Sequence, residues 1–375
     1  MNRSFERLVP YIGRALGLSE EELTRACRPA VESEIQSILS LRRSVLTDVW
    51  WDDERFVRWR YFSRSATAEA PYWVFARNRE ILGACGLEPV TLVVDGVAMP
   101  AVRTLDIMVR PDLDGLGLGA FINLALFRRF PIALVTGSNE RSHSLLTRMF
   151  QHTVDLRFWK LPIRARAVLD AKVAMGPLAA VLAPPLDLFL AARRRLHQSS
   201  VPAGITIRDI QAFDPSVEEL SRTYERSGRV IVRRTAEYLN WRFVQNPRCR
   251  YRIVGAFAGN RLEGYVVTRL NLARPNPRRE AEIVDWMARP SDASSDTVLA
   301  ALLHEAVHGL TRAGAGIISC AVATSDSTSA IEAAGFSFRP AERLPFFVKA
   351  SDPALHSRLT VGADWFITRG DFDVE

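Results

Sequence analysis

The chain has 375 residues, 48% of them hydrophobic and 24% charged, and a formal charge of +7 in which arginine far outnumbers lysine. This composition supports a sizeable core, excludes a disordered or low-complexity chain, and at this length favours two domains. The basic balance suits phosphorylated ligands, acidic carrier proteins or an anionic surface, while no zinc-finger spacing or aromatic-interleaved basic strand points to nucleic acid.

Residues 1–30 read as a helical extension; Arg, Glu and Pro10 interrupt the opening residues, so no signal peptide is expected there. Val31–Val49 is expected as a helix, Trp73–Ala76 as a strand, and Ile81–Val94 as a longer pair of strands bent near Gly86 and Pro89 and turned at Asp95-Gly96. The β-branched and apolar run Thr104–Val109 breaks at Arg110-Pro111, a loop carries Gly115, Gly117 and Gly119, and a helical pattern follows through Arg129. Ile132–Thr136 is the next strand and Ser142–Phe150 a short helix. The four cysteines (Cys27, Cys85, Cys249, Cys320) form no Cys-x-x-Cys pair and read as reduced, mostly buried thiols of a cytoplasmic protein.

Strand, glycine loop and helix aim backbone N–H groups and a positive helix end at a phosphate. Neither the dinucleotide pattern G-x-G-x-x-G nor the P-loop pattern is present. The loop resembles that of the GNAT acyltransferase superfamily, Val-x-Pro, a spacer, then [Gln/Arg]-x-x-Gly-x-[Gly/Ala]: Val109, Pro111, Gly117 and Gly119 fall in register, and Asp114 replaces the usual Gln or Arg. The resemblance implies a mixed α/β sheet with acetyl-CoA or another acyl-CoA along Met108, Val109, Arg110, Asp114, Gly115, Leu116, Gly117, Leu118, Gly119 and Ala120. Its pyrophosphate would take N–H groups across Leu116–Ala120, and Arg110 with the helix dipole would supply the attraction. The N–H near Met108 would stabilise the oxyanion.

Three segments recur in order about 180 residues apart: Phe56–Tyr61 as Tyr238–Phe243, Arg79–Gly83 as Arg261–Gly264, and Leu105–Pro111 as Val284–Pro290. The expectation is two tandem GNAT-like domains, 31–163 binding acyl-CoA and 204–375 degenerate, joined by a helical linker over 164–203. That linker is apolar but broken by Pro177, Pro184, Pro185 and charges, so it is too interrupted to span a membrane; an interfacial segment is the alternative. The second half reads as strand Ile205–Ile210, helix Val217–Arg226, strands Tyr251–Phe257, Glu263–Arg269 and Glu282–Met287, helix Thr297–Leu310, strand Ile317–Ala321 and helix Ser327–Gly335. Its loop, Arg289–Asp296, has no glycine and two aspartates, which assigns the co-substrate to the first half.

For catalysis, Asp106 is the candidate base, expected on one face with Thr104 and Met108, and His143 lies near where the thiolate would emerge. Asn139 fits the family's asparagine position, whereas Leu146 and Ile331 stand where the family carries a thiolate-protonating tyrosine. The reaction implied is acyl transfer to an amine of a small-molecule acceptor, with an acyl-carrier protein as a possible partner. Two other readings stay open: a tandem domain that binds CoA or a partner without turnover, and a zinc hydrolase through His304-Glu305-x-x-His308, which lacks an evident third ligand.

Overall fold

In the computed structural model, which describes residues 2–46, 53–63, 72–137, 140–172, 176–197, 199–270, 278–289, 295–324 and 327–372, the chain opens with α1 (Asn2–Leu16) and α2 (Glu20–Ala26). Ser19 stops one helix from running into the other: its hydroxyl accepts the Glu22 N–H, and the Glu22 carboxylate accepts the Ser19 N–H at 2.7 Å. Then come β1 (Cys27–Pro29), α3 (Ile35–Val45), α4 (Glu54–Tyr61), β2 (Tyr72–Arg77), β3 (Glu80–Val94) and β4 (Val97–Val109). The turn between the last two has Asp95 at φ 49° and Gly96 at φ 81°, the pair of left-handed residues that a tight hairpin needs. Next are α5 (Leu118–Arg129), β5 (Ile132–Thr136), α6 (Glu140–Met149), β6 (Gln151–Pro162), α7 (Ala165–Lys172) and α8 (Gly176–Leu196). The remainder runs β7 (Ile205–Ile210), α9 (Ser216–Glu225), β8 (Val230–Val232), α10 (Ala236–Leu239) with a π turn over Asn240–Val244, β9 (Arg252–Ala258), β10 (Arg261–Leu270) and β11 (Glu280–Ala288). It closes with α11 (Ser295–Arg312), β12 (Ile317–Val322), α12 (Thr328–Ala333), β13 (Ser337–Ala350), α13 (Pro353–Leu359) and β14 (Trp365–Phe366).

These elements build two compact units, each assembled from separate stretches: Met1–Thr91, Pro100–Thr153 and Phe346–Thr360 make one, Leu92–Met99, Val154–Pro345 and Val361–Glu375 the other. In the first unit the strand order is β1-β2-β3-β4-β5, and the end of β13 then pairs antiparallel with β5, Phe346 opposite Thr136 and Ala350 opposite Ile132. Strands β4 and β5 are parallel, with Val102–Thr104 opposite Ala133–Val135. Strand alternation splits the core between two faces. Phe75, Leu82, Leu87 and Val102 pack with α1, α2, α5 and α6, while Val74, Ile81, Ala84 and Met108 pack with α3 and α4.

The second unit has the order β6-β12-β11-β10-β9-β7. Here β6 completes the sheet, Arg157–Pro162 running antiparallel to Ile317–Val322. One face of α11 (Leu302, Leu303, Ala306, Leu310) buries against Val254, Val266 and Ile283 of that sheet. Four strands, β6, β8, β13 and β14, lie where the sequence reading placed no element, and the compact units cross the boundaries drawn at 163 and 204. Of the helix expected over Val31–Val49, α3 covers Ile35–Val45, and residues 47–49 lie outside the described residues. Among the described residues no helix is long and apolar enough to cross a membrane.

Candidate functional site

The parallel pairing of β4 with β5 stops at Thr104 and Val135. Two residues later Asp106 takes φ 46°, a left-handed conformation in mid-strand that breaks the alternation. Asp106 therefore shares the α3 and α4 face with Met108, whereas Thr104, in phase with Val102, falls on the other face; the expectation that all three share a face is corrected by this kink. Beyond it, the Arg110 N–H donates to the Leu82 carbonyl of β3 at 2.9 Å. The two-residue period puts the Met108 N–H on that same side and those of Ile107 and Val109 on the side that β5 leaves open. Strand geometry thus makes Ile107 and Val109, in place of Met108, the donors that face the gap.

A short 3-10 turn over Pro111–Leu113 leads into the glycine loop. Gly117, at φ 77°, is the residue on which α5 starts, and Gly115 has φ 83°. A Cβ on Gly117 would lie 2.9 Å from Leu8 Cδ1 of α1, whereas one on Gly115 would meet nothing within 4 Å. The N-terminal extension is thus a wall of the loop: α1 packs beside α5, and Val9, Ile12 and Leu16 join the same core as Leu118 and Phe121. The first helical bond runs from the Phe121 N–H to the Gly117 carbonyl at 3.0 Å, so the N–H groups of Leu118, Gly119 and Ala120 precede any intrahelical acceptor. The Leu116 N–H, expected to face the ligand, donates instead to the Leu113 carbonyl at 3.3 Å. Asp114 is exposed, and its carboxylate accepts the Gly115 N–H at 3.1 Å.

Arg110 was expected to attract phosphate, but it is bound to carboxylates on both sides. Its Nε and second terminal nitrogen reach the two Asp112 oxygens at 2.6 and 2.7 Å, and its other terminal nitrogen reaches Glu80. The positive end of α5 is a second source of attraction at the loop, one that these carboxylates leave in place.

Asp106 accepts hydrogen bonds from Arg42 at 3.0 Å and from the Tyr61 hydroxyl at 2.5 Å. Burial by itself raises the Asp106 carboxyl, but the Arg42 guanidinium and the Tyr61 hydroxyl outweigh it and hold the group below the ordinary aspartate value. Burial also raises Tyr61 well above the usual phenol, with the Asp106 charge adding to it, so this hydroxyl stays a donor. A carboxylate held this way has little proton affinity to offer an ammonium. Sequence reading missed both partners. Arg42 carried a signal, because its spacing continues the apolar stripe Ile35, Ile38, Leu39 of α3, and the structure buries it completely.

His143 sits on α6 with its ring 5.9 Å from that of Phe347. Asn139 lies outside the described residues. Leu146 and Ile331, in the slots of the family's tyrosine, are buried in the cores of their respective units. In the second unit the parallel pairing of β11 with β12 stops at Ile283 and Cys320, and the buried Asp285 that follows takes hydrogen bonds from Tyr265 at 2.8 Å, Thr368 at 2.5 Å and Arg234 at 3.2 Å. Most of the loop after it, residues 290–294, lies outside the described residues. The His304-Glu305-x-x-His308 segment falls on α11, where Glu305 pairs with Arg252 at 2.8 Å. Among the described residues no three His, Cys, Asp or Glu side chains gather as a metal site.

No protein-family model matches the chain, and no curated protein is similar to it in sequence. Solved structures do match. A GCN5-related N-acetyltransferase from Anabaena variabilis superposes with a TM-score of 0.60 at 12% identity, covering 87% of this chain and 72% of that one. Saccharomyces cerevisiae N-myristoyltransferase with bound myristoyl-CoA gives 0.56 at 14% identity, over 86% and 78%. A GCN5-related N-acetyltransferase from Kribbella flavida gives 0.55 at 12% identity, over 86% and 70%. With its kinked strand, its gap beside β5 and its glycine-started helix, the chain has the GNAT fold.

Proposed function

We propose that this chain transfers an acyl group from acyl-CoA to an amine. The observation that carries the reading is the junction of β4 and α5, where a strand released by its parallel neighbour after Thr104 runs into left-handed Gly117 and an N-terminal helix turn with open amides. In this reading the pyrophosphate accepts hydrogen bonds from Gly117–Ala120, the dipole of α5 attracts it, and the thioester lies along the open edge of β4. There the N–H of Ile107 or Val109 receives the carbonyl oxygen as it gains charge. A neutral amine attacks the carbonyl carbon, the C–N bond forms as the C–S bond breaks, and CoA leaves as thiolate, a tolerable leaving group near neutral pH. The ammonium proton passes to solvent, and Asp106 serves to hold the kink. Acetyl-CoA is the co-substrate favoured by the resemblance; the similar structures include an N-acetyltransferase and an N-myristoyltransferase. The free, buried thiols Cys27, Cys85 and Cys320 support a reducing, cytoplasmic setting.

Calorimetry with acetyl-CoA and myristoyl-CoA, followed by thiol release against a panel of amines, tests this. Gly117→Glu should weaken CoA binding by about 100-fold, through a carboxylate placed at the pyrophosphate. Asp114→Arg should tighten it by about tenfold, a gain that misfolding cannot imitate. Unchanged affinity in both variants would sink the site. CoA binding without thiol release for any acceptor favours the second reading, a CoA-binding protein without turnover, which the buried Leu146 and the ion-paired Asp106 support.

A further inference from the structure

α8 is amphipathic the wrong way round for a helix in a globular unit. Ala183, Asp187, Leu190 and Arg194 follow one another at helical spacing on the more buried side. The outward side carries Val181, Leu182, Leu186, Leu188, Phe189 and Leu196, with Leu188 74%, Phe189 63% and Leu196 86% exposed. Isolated exposed apolar residues are ordinary, but six large ones on one face of one helix are not. The only acid from Val181 to Leu196 is Asp187, and it is engaged, accepting the Ala165 N–H at the start of α7 at 2.6 Å. Arginines border the apolar face. Arg195 is exposed, Arg193 reaches Ser337 at 3.3 Å, and Arg164 and Arg166 are exposed beside Ala165.

We infer that α8 is the surface by which this protein docks on an anionic lipid bilayer, lying in the interface with its apolar side chains down and its arginines at the headgroups. The prolines support the wet interface over a dry protein seam. Pro184 and Pro185 inside α8 have no N–H for the carbonyls of residues 180 and 181, which therefore lose their helical donor and are suited to one from water. Headgroup hydration supplies that water, whereas a sealed helix–helix contact does not.

Full-length protein should pellet with vesicles of phosphatidylcholine mixed with phosphatidylglycerol, remain in the supernatant with phosphatidylcholine alone, and release as salt is raised. The double variant L188E/F189E, at two exposed positions and checked for fold by circular dichroism, should bind the mixed vesicles at least about tenfold more weakly. Failure of the full-length protein to pellet with either vesicle overturns the inference, as does equal pelleting of the variant. A dimer by light scattering that the variant abolishes, with no vesicle binding, would assign the face to a second copy and overturn it too.

Discussion

Asp106 is the residue at which backbone strain, buried charge and the candidate site meet. Its left-handed φ is held by two hydrogen bonds, one of them from a guanidinium wholly inside the protein. Asp106→Asn should destabilise the protein by about 3–5 kcal/mol, because it leaves Arg42 buried without its counter-charge. The pH dependence has a definite sign. Asp106 ionises more readily folded than unfolded, so its contribution is complete above the unfolded value of about 4 and disappears as pH falls through the lower folded value. Urea midpoints at neutral and acid pH should therefore converge between wild type and Asp106→Asn as pH drops. If midpoints match at neutral pH while thiol release collapses, Asp106 is a base after all and the positioning role is lost.

At the scale of elements, what could be read from the chain was whatever is local. The glycine loop, the strand before it and the helix after it announce themselves within about 25 residues through turn chemistry and periodicity. The kink at Asp106 did not, since nothing in Thr104–Val109 marks a left-handed aspartate; its cause lies in Arg42 and Tyr61, distant in sequence. Strands β6 and β13 were equally silent. Gln151–Pro162 shows no strict two-residue alternation, running from exposed through half-buried to partly buried positions, and the strand it pairs with in the second unit begins at Ile317. The two left-handed glycines offer a clean separation of backbone from packing. Gly115→Ala and Gly117→Ala should each cost about 1 kcal/mol, because the positive φ is the common penalty. The Leu8 methyl that Gly117 would strike is the end of a movable side chain, so it adds little. A much larger loss for Gly117→Ala in chemical denaturation would show that α1 is rigidly clamped to the loop.

At the scale of the whole molecule, neither half of the sequence contains a complete unit. Strand β5 has its antiparallel neighbour in Phe346–Ala350, and β12 has its own in Arg157–Pro162. A fragment of residues 1–163 should expose β5 as a raw sheet edge and aggregate, and co-expression with 164–375 should restore a soluble, cooperatively melting pair. A well-folded, monomeric 1–163 fragment by circular dichroism and light scattering would show that β13 is dispensable. This exchange has a consequence for how such a chain can change over time. A half that lends a strand to its neighbour keeps its place whatever its own loop carries, and the stretch from Arg289 to Asp296 is glycine-free. Mutation is then free to remodel the loops of the second half but not to delete the strand it lends.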